Sequence, residues 1–337
     1  MTDHHSLTAQ SAYLDLVRSL TLETASEITG TPFREVRGAK AYWYENIRIG
    51  TTVKKRYLGE DRPELAADIA NHLALKTQSL SRAAQRSRLI RILRAEGFQP
   101  ADRAISGILQ AFARAGAFRL GATIVGTQAF RLYEGELGLR LAFDEVAQTD
   151  DLDIAQFERL SIALNDQVET TLPQTFRDFD FVPIPSVFSR SVWRWKQTNS
   201  NLMVEFLTPS FRPEEDIREL PALGVAAQSL HFLNYLIADP IKAAVLYRSG
   251  VLVQIPRPER YAIHKLIVAD RRKGPDQLKS RKDRAQAALL IRALAEDRPH
   301  ELREAYGEAL DSGPRWGEHI GASLQRLPET AALLGGL

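Results

Sequence analysis

The stretch VGTQAFRLYEGELGLRLAFDEVAQTDDLDIA, residues 125 to 155, decides what fold and what kind of site this chain is expected to have. It begins where an apolar strand runs into Gly126 and Thr127 and then into a helix. A turn of this kind presents free backbone N–H groups and the positive end of the helix dipole, which suits a phosphate group. Gly126 would let the backbone approach the ligand, and Thr127 adds a hydroxyl donor.

The same stretch ends on two carboxylates in the sequence DDLDI. One residue separates Asp151 from Asp153, so on a strand their side chains share a face, roughly 7 Å apart along the chain. Carboxylates placed together in this way can hold a pair of Mg²⁺ ions, the arrangement used in phosphoryl and nucleotidyl transfer. We therefore expect two Mg²⁺ as cofactor, with Mn²⁺ as the alternative, and we expect Asp150 to face away.

A third acid, Glu205, lies inside the apolar run NLMVEFLT, residues 201 to 208. A lone charge in such a strand costs several kcal/mol unless it is paired or bound to a cation. If this strand lies beside the Asp151 strand, Glu205 completes a cluster of three carboxylates, binds one metal and accepts the proton of an attacking hydroxyl. An ion pair with Arg194 is the alternative explanation.

The order of these motifs resembles that of the polymerase-β-like nucleotidyltransferase superfamily, in which a glycine turn opening a helix precedes Asp-x-Asp on a strand and an acid on a later strand. The segments GTQAFRLYEGELG, TDDLDIA, VEFLTP and HKLIVADRRKGPDQLKSRKDRAQA are similar to those of a bacterial branch of nucleotidyltransferase-like proteins. Relatives of that branch include the nucleotidyltransferases of abortive-infection toxin–antitoxin pairs. The resemblance covers roughly residues 37 to 295.

The resemblance implies transfer of a nucleoside monophosphate from an NTP to an acceptor hydroxyl of RNA, protein or a small molecule, with release of pyrophosphate. It also implies a toxin–antitoxin partner. The site residues that it carries over are Gly126 and Thr127 for the triphosphate, Asp151, Asp153 and Glu205 for metal and catalysis, and Lys265 and Lys279 for nucleotide binding, with Asp283 in the same lysine-rich motif.

Three departures from the superfamily pattern keep a second interpretation open. Thr127 replaces Ser or Gly, Glu205 replaces the commoner Asp, and the 25 residues from Gly126 to Asp151 exceed the usual gap. The alternative is a catalytically inactive relative that binds nucleotide or RNA and acts as a toxin–antitoxin or sensor partner. Lys265 is equally well explained as a surface lysine whose stem lies along apolar neighbours.

Periodicity predicts an α/β (α+β) fold in which a mixed sheet is backed by helices. Helices are expected at 7–28, 61–96 and 102–115, a β-hairpin at 39–59, and strands at 117–125, 150–155, 201–208 and in VLVQIP. After about residue 215 strands become scarce, and SLHFLNYLIADPIKAAVLY is expected to be mostly helical. The expected domains are 1–100, helices with a hairpin extension; 101–215, the nucleotidyltransferase core; and 216–337, a mostly helical region.

Two basic segments suggest contacts with nucleic acid. RRKGPDQLKSRKDR, residues 271–284, holds seven basic and two acidic residues, and the hairpin interleaves Tyr42, Tyr44 and Tyr57 with a run of three cations, Lys54, Lys55 and Arg56. A solvated surface for the first segment and core packing of the rings for the second are the alternative explanations.

Composition excludes several classes of protein. The 337 residues contain no cysteine, which removes disulfides, zinc–thiolate sites and thiol nucleophiles, and the formal net charge is only +2. No apolar run approaches the roughly 18 residues of a membrane span. Together with the lack of a signal-peptide pattern at the amino terminus, this predicts a cytoplasmic protein with no membrane partner.

Overall fold

A computed structural model describes residues 3–24, 31–38, 40–49, 52–141, 149–163, 167–168, 171–184, 191–272, 274 and 277–337. The chain forms two compact units. The larger comprises Met1–Ser6, Phe112–Ala243 and Val253–Leu337, and the smaller comprises Leu7–Ala111 and Ala244–Leu252.

Helices and strands are interspersed along the chain, with most of the strands in its first two thirds. In chain order they are α1 (Leu7–Thr24), β1 (Thr31–Arg37), β2 (Lys40–Ile49), β3 (Thr52–Glu60), α2 (Pro63–Ala95), α3 (Arg103–Arg114), β4 (Thr123–Val125), α4 (Gly126–Leu137), β5 (Asp151–Ala155), α5 (Glu158–Ala163), α6 (Leu172–Arg177), β6 (Phe181–Pro183), β7 (Arg194–Gln197), β8 (Met203–Pro209), β9 (Ile217–Leu220), β10 (Val225–Leu230), α7 (Leu233–Leu236), β11 (Ile241–Val245), β12 (Val251–Ile255), α8 (Pro258–Arg271), α9 (Gln277–Asp297), α10 (Pro299–Asp311), α11 (Pro314–Leu324) and α12 (Pro328–Gly335).

The smaller unit packs α1 against the carboxy-terminal half of α2. Buried α1 residues recur at helical spacing, and they meet α2 residues and the 244–252 segment in one apolar cluster that includes Ala9, Tyr13, Leu16, Leu20, Ile90, Leu93, Phe98 and Leu246. Strands β1, β2 and β3 form an antiparallel sheet in this unit. Aromatic rings are concentrated on one face of that sheet.

The larger unit is built on a mixed sheet with the strand order β4-β5-β8-β10-β9, to which β7 and β6 add along β8. β5 runs antiparallel to β4 and parallel to β8, and β10 is also parallel to β8. Beneath the sheet lies an aromatic core in which Phe176 stacks on Trp195 with ring centroids 4.7 Å apart and Phe206 meets Trp195 edge-on at 5.4 Å. The predicted α+β class with a mixed sheet is therefore confirmed.

The chain after β12 is helical. α8 is buried along most of its length and packs against α9, α10 and α11. Each of α8, α10, α11 and α12 carries proline within its first two positions, where the missing N–H has no helical partner to lose. The helical carboxy-terminal region of the expected fold class is confirmed.

Two predictions of secondary structure are wrong. Strands do not become scarce after residue 215, because β9, β10 and β11 follow it, and the segment 229–247 that was expected to be helical holds the end of β10 and all of β11. Only α7, four residues long, is helical there. The expected strand at 117–125 is limited to Thr123–Val125, since residues 115–121 form turns.

Some expectations fall on residues that are not described, including the Gly50–Thr51 turn of the hairpin. The strands on both sides of that turn are present as β2 and β3. Within the described ranges, no helix combines the length and apolar character needed to cross a membrane.

Candidate active site

The strand register brings the three acids of the sequence motif to one face of the sheet. Asp153 of β5 lies directly opposite Glu205 of β8 in a parallel pair, so the two side chains project to the same side. Asp151 is two residues before Asp153 on the same strand and shares that face. All three residues are partly buried.

The turn between β4 and α4 lies directly against Asp153. Val125, the last residue of β4, pairs with Asp153, and Gly126 follows in the left-handed region with φ +64°. A β-carbon at Gly126 would overlap Oδ2 of Asp153 and lie 3.1 Å from its Cγ. Glycine is therefore required both by the backbone conformation and by the closeness of the carboxylate.

Charge repulsion and burial act together on these acids. Burial raises the pKa of Asp153 to about 7, and the negative charges of Glu205 and Asp151 add to the effect. Lys265 and Lys279 act in the opposite direction on the same group. The predicted acids and both predicted lysines therefore lie within electrostatic reach of one another, although they come from four separate elements.

Glu205 has a partner in the structure. Burial raises the pKa of Glu205, and the Arg194 guanidinium opposes that effect. An Arg194 nitrogen lies 3.9 Å from Glu205 Oε1, and the two residues are cross-strand neighbours on β7 and β8. Among the described residues, no three Asp, Glu or His side chains converge closely enough to hold a metal ion together. The ion pair considered as an alternative for Glu205 is thus present.

Lys265 is not a surface lysine. On α8 it is 7% exposed, and its Nζ lies 2.5 Å from Oδ1 of Asp283 on α9. The other oxygen of Asp283 accepts a hydrogen bond from Arg272 Nε, also at 2.5 Å. Burial alone would raise the pKa of Asp283, but Lys265 and Arg272 outweigh it and hold the pKa below its ordinary value. Asp283 therefore fixes the position of the lysine that faces the acids.

One buried tyrosine connects the turn between β4 and α4 to the helices α8 and α9. The Tyr261 hydroxyl lies 2.9 Å from the carbonyl oxygen of Gly126 and 2.9 Å from Oε1 of Gln286. Nε2 of Gln286 lies 3.5 Å from Oγ1 of Thr127. With the amide in this orientation Thr127 is the acceptor, so its own hydroxyl proton is left to donate elsewhere.

Sequence reasoning missed Tyr261 and Gln286, and also Lys282. For Tyr261 the signal was its spacing from Lys265, four residues later on α8. The two residues form a cation–π pair with Nζ 5.2 Å from the ring centroid. Lys282 precedes Asp283 on α9. Burial lowers the pKa of Lys282, the nearby Lys265 lowers it further, and Asp151 acts in the opposite direction.

The predicted site residues thus divide into two groups. Gly126 lies against Asp153, and the charges of Asp151, Glu205 and Lys265 act on Asp153. Thr127 is linked through Gln286 to Tyr261, whose hydroxyl lies against the Gly126 carbonyl. Lys279 is exposed on the first turn of α9 and acts on the acids only through its charge.

Residues 103–311 match the protein family described as Nucleotidyltransferase. The match spans more than half of the 337 residues and includes all of the predicted site residues. The chain is therefore a member of the nucleotidyltransferase family. A search of curated proteins finds no match to this chain.

Proposed function

We propose that the protein transfers a nucleoside monophosphate from an NTP to an acceptor hydroxyl and releases pyrophosphate, with two Mg²⁺ bound at Asp151 and Asp153. The observation that carries this proposal is the contact between the Gly126 turn and the Asp153 carboxylate. It puts a candidate phosphate-binding turn beside a candidate metal ligand, which is where the phosphates and the ions of a nucleotide complex must meet.

The carboxylates of this site are suitable ligands for a divalent metal ion. Oxygen ligands are those that Mg²⁺ prefers, and Mn²⁺ accepts the same set. Burial raises the pKa of Asp153, and repulsion from Glu205 and Asp151 on the same sheet face adds to the effect. Bound metal would supply positive charge at the reacting phosphate and remove this repulsion.

In the proposed reaction, the acceptor oxygen forms a bond to the α-phosphorus while the bond to the β-phosphate oxygen breaks. Glu205 accepts the proton of the acceptor hydroxyl; burial raises its pKa, which makes it a stronger base. To do so, and to contribute to metal binding, Glu205 must exchange its contact with Arg194. Arg194 is then available to a phosphate or to the acceptor.

The leaving pyrophosphate is assigned to the turn and the lysines. Backbone N–H groups at Gly126 and the Thr127 hydroxyl would hold the β- and γ-phosphates. Lys265, oriented by Asp283, and the exposed Lys279 would offset the negative charge that develops on the leaving group. The resemblance to abortive-infection nucleotidyltransferases extends the proposal to a cytoplasmic enzyme with a toxin–antitoxin partner.

Incubation of the full chain with each NTP labelled at the α-phosphate, and separately at the γ-phosphate, tests the proposal. Total RNA, the protein's own chain and small alcohols serve as acceptors. We expect α-label on one acceptor class and γ-label in pyrophosphate. Gamma-label in free phosphate or on the acceptor would indicate a different reaction and overturn the proposal.

The Arg194–Glu205 ion pair favours a second candidate, an inactive relative that binds nucleotide or RNA as a sensor or a toxin–antitoxin partner. In that case Arg194 permanently occupies the place of metal at the third acid. Nucleotide binding that needs no divalent metal, with no label transfer from any NTP, would support this candidate over the enzyme.

A further inference from the structure

The two units of the chain carry opposite charge. The smaller unit holds 17 Lys and Arg residues against 11 Asp and Glu residues, whereas the larger unit holds 27 against 31. The smaller unit therefore has an excess of six positive charges, although the net charge of the whole chain is close to zero. Charge asymmetry of this kind is typical of chains in which one part binds a polyanion.

Within the smaller unit the β1–β3 sheet has a net positive charge. Residues 31–60 contain seven Lys and Arg residues and three Glu residues. One face of this sheet is turned to its own unit: Glu45 is buried, and a β-carbon at Gly59 would meet the Leu65 side chain of α2. The opposite face, which we call the open face, displays rings and cations.

Four aromatic rings lie side by side across the open face. Phe33 stacks on Tyr44 with centroids 5.8 Å apart, and Tyr57 meets Tyr44 at 5.4 Å and Tyr42 at 6.2 Å. Tyr57, on the edge strand, is 56% exposed. Tyr57 is therefore not packed in a core, whereas Phe33, Tyr42 and Tyr44 beside it are half-buried.

Positively charged side chains lie beside these rings. Lys55 Nζ lies 4.0 Å from the centroid of Tyr44, and Arg37 Cζ lies 5.7 Å from it. Lys40 stands at the start of β2, opposite Arg37. All three side chains are exposed, and their partners are Glu35 and Glu60. Exposed ion pairs contribute little to stability, so a phosphate can replace either carboxylate at little cost.

We infer that the open face of the β1–β3 sheet binds single-stranded nucleic acid, with bases stacked on Tyr57 and its neighbouring rings and backbone phosphates on Lys55, Arg37 and Lys40. Unpaired bases present flat faces to aromatic side chains, and the strand's phosphates complement the positive charge of the sheet. A duplex hides its base faces, so only its phosphates are left to bind. This partner adds to the proposed nucleotidyltransferase activity but does not depend on it.

Fluorescence anisotropy with a labelled oligouridylate of roughly 12 nucleotides tests the inference on the full chain, without NTP or metal. Failure of the proposed transfer reaction would leave this measurement unaffected, so the two proposals can fail separately. We expect the single strand, whether RNA or DNA, to bind more tightly than a duplex of equal length. Equal binding of strand, duplex and heparin would overturn the inference, because it would mean attraction of any polyanion.

Tyr57→Ala is the decisive variant, and we expect it to weaken binding by about 5-fold to 150-fold, the range observed when a stacking ring is removed. Phe211→Ala is its matched control: Phe211 is an aromatic residue of the larger unit that is 60% exposed and lies next to a cation, Arg159. Equal loss in both variants, or no loss in either, would contradict the assignment. Circular dichroism of both variants establishes that the fold is retained.

Lys55→Gln tests the phosphate contacts. Removing one phosphate contact should reduce the slope of log affinity against log salt by about 0.7, the value for a single strand. Lys242→Gln, an exposed lysine of the larger unit, should leave the slope unchanged. A slope that is the same in all three proteins would overturn the assignment of Lys55.

Discussion

The carboxylate of Asp153 lies where a side chain at Gly126 would have to be: a β-carbon there would overlap Oδ2 and lie 3.1 Å from Cγ. The pairing of Val125 with Asp153 fixes this relation, because Gly126 follows Val125 directly. The sheet itself thereby holds the Gly126 turn, the proposed phosphate site, next to Asp153, a proposed metal ligand.

Gly126→Ala should reduce nucleotidyl transfer by about 100-fold or more, since a displacement of about 1 Å at a reacting centre has that effect. The methyl group must push Asp153 away, and the φ of +64° adds strain. Initial rates at saturating NTP measure the effect. Gly224→Ala separates the two causes, because Gly224 has φ +66° but meets only ordinary contacts at 3.7 Å. A similar loss in both variants would mean that general strain, rather than the Asp153 contact, is responsible.

Tyr261→Phe should lower kcat/KM for the NTP by roughly 2-fold to 10-fold, the effect of losing one hydrogen bond. The Tyr261 hydroxyl donates a hydrogen bond to the Gly126 carbonyl, so its loss loosens the turn between β4 and α4. Tyr235→Phe is the matched control, since that buried hydroxyl donates to Ala305 O at 2.7 Å, outside the site. We expect both variants to lose thermal stability but only the first to lose kcat/KM; equal kinetics in the two would refute a positioning role for Tyr261.

Asp153→Asn should raise the melting temperature of the metal-free protein at pH 8 and change it little at pH 4. The folded-state pKa of Asp153 is raised to about 7 from an ordinary 3.8, so the native state is destabilised as pH rises through that window. Each kcal/mol of repulsion removed corresponds to roughly 2–4 °C for a domain of this size. Scanning calorimetry from pH 4 to 8 tests this. Asp150→Asn is the control for the replacement of a carboxylate by an amide. An equal rise in melting temperature at pH 4 and at pH 8 would contradict the prediction.

Arg194→Gln should lower the Mg²⁺ concentration needed for half-maximal activity by several-fold, because the arginine at 3.9 Å competes with metal for Glu205. Magnesium titration of the rate at pH 8 measures this. Arg218→Gln breaks a different ion pair, that with Asp216 at 2.7 Å, and should leave the requirement as it is. An unchanged requirement in Arg194→Gln would mean that Glu205 is no metal ligand.

The residues with charge and regular spacing were the ones that sequence alone could predict. Asp151 and Asp153 had to share a face once their segment was a strand, and an acid within an apolar strand already signalled Glu205. What the sequence could not supply was the register that places Asp153 opposite Glu205, because pairing between distant strands depends on the whole sheet.

Other features were missed for a physical reason. Tyr261 and Gln286 are uncharged, so neither the spacing of Tyr261 from Lys265 nor the place of Gln286 in the lysine-rich segment singled them out, and their contacts with Gly126 and Thr127 reveal a role. The end of β10 and the whole of β11 were mistaken for helix because buried strands form apolar runs that fit a helical period as well. Phe232, with φ +68°, marks where the chain turns between them, and a positive φ at phenylalanine cannot be foreseen from sequence.

The most direct test of the central claim compares Asp151→Asn with Asp150→Asn in transfer of α-labelled NTP to the acceptor. The two changes are chemically identical and one residue apart, but Asp151 lies on the strand beside Asp153, whereas Asp150 is exposed just before it. We predict that Asp151→Asn abolishes transfer with the fold intact and that Asp150→Asn retains it. Transfer that survives in Asp151→Asn would contradict the assignment of this site.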